Sequence, residues 1–275
     1  MAMIDSELNP LGKQSDYKDA YDASLLFAIP REEGRSRLLA DAELAPMYGE
    51  DIWNAYEVSW LDARGKPVVA IGEFKIPAAA ANLIESKSFK LYLNSYNQTR
   101  FDSKDDVQAL MVRDLAAVSG GEVAVELMLL PGGKDFGTAP EAWCIDELEV
   151  DITTYQPDGA LLATTAGVFD GWLCSHLLKS NCPVTGQPDW GSVYVYYRGP
   201  AIIPESLLAY VVSMRQHQGF HEQCVEQMFQ DIAHYCRPEV LTVCARYVRR
   251  GGLDINPVRS SVDGVCLENF RTLRQ

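Results

Sequence analysis

Lys179-Ser-Asn-Cys182-Pro-Val-Thr-Gly-Gln-Pro-Asp189 sets a thiol and a carboxyl seven residues apart in a stretch of eleven. Pro183, Gly186 and Pro188 give it a loop shape that neither a helix nor an unbroken strand accepts. A thiolate is the strongest side-chain nucleophile near neutral pH, and a neighbouring carboxyl can take or return its proton. Cys182 and Asp189 are therefore a candidate nucleophile and acid/base pair. A buried free cysteine beside a turn-capping aspartate is the competing reading of the same residues.

Other chemistry is spread along the chain. Positive charge gathers at Arg246-Tyr-Val-Arg249-Arg250-Gly251-Gly252 and on Lys87 and Lys90, against a net charge of −14. Such an acidic surface repels nucleic-acid backbone, so a small ligand is expected at these basic points and direct nucleic-acid binding is not. The seven cysteines are odd in number, form no CxxC pair and imply reduced thiols. Cys174, His176 and Cys182 could meet at a metal, but their spacing fits no common zinc pattern, and no metal is expected. There is no GxGxxG after a strand, which argues against a dinucleotide-binding domain of that kind. No membrane-length apolar run and no leader are visible, so a soluble cytoplasmic protein is expected.

Residues 1–50 are polar and read as an arm or cap. Trp53 to Leu61 and Val68 to Ile76 read as strands around the turn Asp62 to Lys66, and Ala78 to Leu93 as a helix after Pro77. Ser103 caps a second helix running to Gly120. Val123 to Leu130 and Ile145 to Thr154 read as strands. Ala166 to Leu178 and Gly191 to Tyr197 flank the Cys182 loop as strands. Pro204 then opens one helix, Glu222 to Tyr235 forms another, and Val240 to Val248 and Val262 to Phe270 close the chain as strands.

That order repeats, and so do some residues. Ile76-Pro77 matches Ile203-Pro204, and Arg113-Asp114-Leu-Ala matches Gln230-Asp231-Ile-Ala. The chain thus reads as an α+β duplication over residues 51–160 and 161–275. Each half is expected to be a four-stranded antiparallel sheet with a helix pair on one face. Where the first half has a five-residue hairpin turn, the second carries the longer loop with Cys182 and Asp189. Enlarged hairpin loops are uncommon without a use.

Glu85-Ser-Lys87-Ser-Phe-Lys90-Leu-Tyr92, the Cys182 loop, Gly219-Phe220-His221-Glu222 and Arg249-Arg250-Gly251-Gly252-Leu-Asp-Ile-Asn-Pro together resemble one family. It is that of the nitrile reductases converting 7-cyano-7-deazaguanine to 7-aminomethyl-7-deazaguanine in queuosine biosynthesis, a tRNA modification pathway. The resemblance spans nearly the whole chain and implies its long form, with tandem tunnelling-fold units and a homodimer. It implies that Cys182 forms a thioimide, with Asp189 and His221 handling protons. NADPH is implied as reductant, used twice, since nitrile to amine takes four electrons. By the same resemblance Ser86, Lys87, Arg250 and Gly251 contact the cofactor. Ile84, Glu85, Ser86, Phe220, His221 and Glu222 line the substrate, the glutamates accepting from a guanine-like edge. With Glu85 in one half and Cys182 in the other, the site is expected at a junction of units. The alternatives are a zinc-dependent cyclohydrolase using Cys174, His176 and Cys182, and a non-catalytic purine- or pterin-binding oligomer.

Overall fold

The computed structural model describes residues 17–38, 43–130 and 136–275; of the arm expected over 1–50, residues 1–16 and 39–42 lie outside the described residues. The first elements are β1 (Ala28–Pro30), α1 (Arg31–Arg35), β2 (Tyr48–Leu61), β3 (Pro67–Pro77) and β4 (Asn82–Ile84). The helices α2 (Ser86–Asn94) and α3 (Lys104–Ser119) and the strands β5 (Ala124–Leu129), β6 (Trp143–Cys144) and β7 (Thr164–Ser175) follow. Then come β8 (Lys179–Asn181), β9 (Pro188–Ile202), α4 (Pro204–Ser213), α5 (His221–Cys236), β10 (Val240–Tyr247) and β11 (Leu253–Ser260). The fold is mixed α+β with mainly antiparallel pairing and few helices. Among the described residues no helix is long and apolar enough to cross a membrane.

Two compact units divide the chain. The first gathers the described residues of 1–33, 52–135 and 249–254. Its strands follow the order β5-β3-β2, with β3 and β5 antiparallel from Ala70↔Leu129 to Lys75↔Ala124. Asp62 closes the β2–β3 turn by accepting from the Arg64 and Lys66 N–H groups. β1 pairs with β4, Ala28 opposite Ile84. Phe89 of α2 drives its ring edge-on into Trp53 and Phe74, with centroids 5.3 and 5.0 Å apart, which seats the helix on the sheet.

The second unit gathers the described residues of 34–51, 136–248 and 255–275. Its strands run β11-β10-β9-β7-β6, with β8 pairing β9. Val193, Val195 and Tyr197 of β9 alternate inward, as period two requires, against Val225, Met228, Phe229 and Ile232 of α5. Each such side chain is fully buried and contributes about 1.5–3 kcal/mol of transfer free energy.

Both helix pairs are locked by the same device. Tyr92 of α2 donates to the Asp114 carboxylate of α3 at 2.8 Å, and Tyr210 of α4 donates to Asp231 of α5 at 2.6 Å. Burial, followed by its neighbour's hydroxyl and Asp114, pushes the Tyr92 phenol far up; burial and Asp231 do the same to Tyr210. Both phenols stay protonated donors.

Several expected elements differ. The helix expected over Ala78 to Leu93 is split: the chain turns after Pro77, runs as β4, and becomes helical only after Glu85. No strand covers Ile145 to Thr154; the chain turns at Asp146, whose carboxylate accepts from Ser175 Oγ at 2.6 Å and the His176 N–H at 2.9 Å. What remains is the short β6, which pairs parallel with β7, so this sheet is not wholly antiparallel. Val262 to Phe270 is not a strand either. The last strand is β11, which ends at Ser260, and the chain then turns at Asp263-Gly264, where Gly264 takes φ +73°.

Candidate active site

The stretch from Lys179 to Asp189, expected as an irregular loop, is a tight hairpin. Lys179, Ser180 and Asn181 pair with Trp190, Asp189 and Pro188. The ladder extends one step further, since the Cys182 N–H donates to Gln187 O at 2.9 Å. Gly186, at φ +67°, closes the tip by donating to Cys182 O at 3.0 Å. Alternation along each arm then fixes directions. Ser180 and Asp189 are opposite one another, and Cys182 lies two residues along from Ser180, on the same face. Cys182 and Asp189 are thus diagonal neighbours across the hairpin, with backbones about 7–8 Å apart, a span their side chains can close. Both are buried, at 6% and 5% exposure.

A second segment is sewn to this hairpin through Asn181. Its N–H donates to His217 O at 2.9 Å, its carbonyl accepts from Gly219 N–H, and its amide donates to Arg215 O at 3.1 Å. Lys179 Nζ reaches Arg215 O at 2.8 Å as well. These bonds fix the turn from Arg215 to Gly219, and α5 starts immediately after it. The Phe220 N–H is satisfied by Gln223 Oε1 at 3.1 Å, so the helix begins at His221. His221 Nε2 consequently stands 3.7 Å from Asp189 Oδ1. Glu222, one residue on, is buried in the first turn, where the helix dipole favours a carboxylate. Phe220 is partly buried at the cap.

Sequence reasoning missed what lies behind His221. The Tyr247 ring of β10 meets the imidazole edge-on, with centroids 4.1 Å apart and planes at 89°. Tyr247 and Cys224 are fully buried; burial pushes the Tyr247 phenol well up and the Cys224 thiol up to about 12. Both stay protonated, and the neutral Tyr247 ring packs against the imidazole. The available signal was the inward position of Tyr247 in the alternation of β10.

The remaining predicted residues belong to the first unit. Ile84 is buried in β4. Glu85 is fully buried and is the N-cap of α2: Oε1 accepts from the Lys87 N–H at 2.8 Å and Oε2 from the Ser88 N–H at 2.7 Å. Burial raises its pKa, opposed by those two N–H groups and by the charges of Lys90 and Lys87. Ser86 and Lys87, partly exposed, form the first turn. Arg250 heads a turn in which its N–H bonds Leu253 O, with Gly251 at φ +59° and Gly252 at +71°. A pocket of about 220 Å³ opens beside this turn, lined by Lys90, Asn94, Asn97, Gly251, Gly252 and Glu57 among others. A Cβ placed on Gly251 would sit 3.4 Å from Lys90 Cδ, so the lysine stem lies on the glycine backbone. An ammonium beside exposed backbone in left-handed conformation suits one phosphate-sized anion, and Glu57 on the same wall disfavours a second. The structure brings Lys90 and Gly251 together; neither Lys87 nor Arg250 lines the pocket.

Among the described residues, one group has metal-ligating potential, Cys144, Cys174 and His176. Cys182 is not in it, contrary to the set the cyclohydrolase alternative required.

The family described as nitrile reductase, 7-cyano-7-deazaguanine-reductase N-term, matches residues 17–127, and that described as QueF-like protein matches 188–264. A protein of Dechloromonas aromatica named NADPH-dependent 7-cyano-7-deazaguanine reductase is 54% identical over 98% of this chain and 96% of its own length. Proteins of the same name from Azoarcus sp. and Chromobacterium violaceum are 54% and 52% identical, over 93% and 98% of this chain and 92% and 97% of their own. A solved structure, the archaeosine synthase QueF-Like in the apo form, is 20% identical over 37% of this chain and 99% of its own, with a TM-score of 0.31.

Proposed function

This chain belongs to the NADPH-dependent 7-cyano-7-deazaguanine reductase family, and we propose that it reduces the nitrile of 7-cyano-7-deazaguanine to the aminomethyl group through a covalent thioimide on Cys182. The observation that carries this reading is the pairing of a buried thiol with a buried carboxylate on one hairpin face, with an imidazole 3.7 Å from that carboxylate.

The covalent step balances without an external reagent. Sγ of Cys182 bonds to the nitrile carbon, one C–N π bond breaks, and the thiol proton passes by way of Asp189 to the nitrogen. Asp189 is buried on the hairpin face it shares with Cys182, where it can accept and return that proton. His221, held edge-on by Tyr247, is the second proton source when charge develops on nitrogen. Bound NADPH supplies hydride, and four electrons require two per nitrile. Gly251 and Lys90 bind one of its phosphates, with Ser86, Lys87 and Arg250 contributing charge and hydrogen bonds from the same segments. Glu222 accepts from the ring N–H and exocyclic amine of the base, while Phe220 and Ile84 are apolar lining. Glu85 takes part as well, and its carboxylate does so while capping α2. The Tyr–Asp device in both helix pairs supports the tandem tunnelling-fold reading, with two chains forming a homodimer.

Mass spectrometry of the intact protein tests the chemistry. Incubated with 7-cyano-7-deazaguanine and no NADPH, the wild type gains the mass of one nitrile and Cys182→Ala gains none. With NADPH, two equivalents are oxidised per amine formed. An adduct that persists in Cys182→Ala, or a ratio of one, overturns the proposal.

A further inference from the structure

We propose that Cys144, Cys174 and His176 form a binding site for one thiophilic d-block cation, zinc foremost, at the root of the hairpin that carries Cys182. The strand pairing assembles it. Cys144 of β6 lies directly opposite Cys174 of β7 in parallel register, and the Ile145 N–H donates to Cys174 O at 3.0 Å, holding the two thiols on adjacent rungs. In a parallel pair, opposed residues point to the same face; His176, two residues beyond Cys174, returns to that face by the strand period. The donor atoms of all three lie within 4.8 Å of one another.

A tetrahedral zinc needs its donors about 3.5–3.8 Å apart, given bonds of about 2.3 Å to sulfur and 2.0–2.1 Å to nitrogen. The exposed Cys144 thiol can shorten its distances by turning about χ1, while His176 keeps the orientation that Ser192 gives it. The supports of a metal site are also present. His176 Nδ1 is 2.8 Å from Ser192 Oγ, and Tyr194 packs against the imidazole edge at 6.3 Å, so the ring is oriented from outside the site. Asp146 ties down the adjoining backbone through Ser175 Oγ and the His176 N–H, and adds negative charge beside the donors. Two sulfurs and one imidazole select zinc-like ions over magnesium or calcium, which take oxygen. One buried and two exposed ligands leave a path from solvent and an open fourth position.

Cys182 is not a ligand, so the cation is no part of the reduction. It staples the Trp143–Cys144 segment to the end of β7, three residues before β8 begins the nucleophile hairpin.

Cobalt is the probe. The full-length Cys182→Ala chain, kept reduced so that the reactive thiol contributes nothing, is titrated with Co²⁺ and then with Zn²⁺. One cobalt per chain is expected, with a thiolate-to-cobalt charge-transfer band and tetrahedral visible bands that zinc abolishes. Adding Cys144→Ser or His176→Ala weakens binding at least tenfold. Zinc raises the melting temperature of the parent and not of the Cys144→Ser chain, whose exposed substitution leaves folding intact. Absence of the charge-transfer band, or a band that survives Cys144→Ser unchanged, overturns the site.

Discussion

His221 and Asp189 face one another at 3.7 Å between Nε2 and Oδ1, and they are held there by different scaffolds. Asp189 rides on the β8–β9 hairpin, whereas His221 opens α5, and the Asn181 bonds to the turn from Arg215 to Gly219 tie the two together. Because Asp189 shares a hairpin face with Cys182 and His221 does not, the two should act at different steps. Asp189→Asn is expected to slow adduct formation by about 10²–10⁴-fold, the range for a positioned general base. His221→Ala should leave adduct formation within about tenfold and slow the reduction that follows by a similar 10²–10⁴-fold. Rapid-quench mass measurements without NADPH, beside NADPH oxidation rates, separate the steps. Equal losses in both for both variants would sink the division of labour.

Gly251 gives a second test, separate from the thiol. Its φ of +59° is left-handed, so a side chain there costs roughly 1–2 kcal/mol, and its Cβ would lie in van der Waals contact with the Lys90 stem. Gly251→Val and Lys90→Gln should each raise KM for NADPH about tenfold or more while the nitrile adduct on Cys182 forms at the wild-type rate. Steady-state kinetics in NADPH and intact-mass adduct yields read this directly; loss of the adduct in either variant would remove the pocket from cofactor binding.

The nucleophile hairpin was legible because its meaning is carried by spacing and by residues that dictate backbone. Cys182 and Asp189 stand seven apart, and Gly186 and Pro188 force the reversal that brings them to one face. Its regular pairing was not legible, since two prolines read locally as breaking a strand, and the bonds of Asn181 and Lys179 to a distant turn support so short an arm. Glu85 shows the opposite failure. A lone glutamate before Ser86 reads as a surface acid, and only the folded chain shows it fully buried on two backbone N–H groups. Ile145 to Thr154 has strand-like alternation, yet Asp146 found better partners in Ser175 and His176, a tertiary choice that no local pattern encodes. Tyr247 was hidden because a tyrosine in a strand is ordinary until a histidine 26 positions away in sequence meets its ring.

A buried charge network anchors α5, and with it His221, inside the second unit. Arg259, fully buried, reaches Asp51 at 2.8 Å and Glu226 at 2.9 Å, and Arg35 reaches the same Glu226 oxygen at 2.7 Å. Removing one member leaves desolvated charge uncompensated. Glu226→Ala is therefore expected to cost about 3–5 kcal/mol of stability, far more than a surface ion pair, and Glu226→Gln less because it keeps one acceptor for the guanidinium groups. Urea denaturation of the three proteins measures this. A loss under about 1 kcal/mol for Glu226→Ala would mean that Asp51 already neutralises Arg259 and that Arg35 contributes little.

His217 ties stability to pH through the turn that holds the hairpin. Its carbonyl accepts from the Asn181 N–H, and burial lowers its imidazole pKa to about 4, from an ordinary 6.5. A base whose folded pKa lies below its unfolded one binds more protons when unfolded. Its neutral form is therefore compatible with the fold above pH 6.5, and stability is lost as pH falls from 6.5 towards 4, where the folded form protonates too. A shift of this size corresponds to at most about 3 kcal/mol across that window. His217→Gln keeps the backbone acceptor and cannot titrate, so the difference in unfolding free energy between it and the wild type should change in the variant's favour as pH drops from 7.5 to 4.5. Carboxylates common to both proteins cancel in that difference. Parallel stability curves for the two proteins over this range would show that His217 protonates as freely in the folded chain as in the unfolded one.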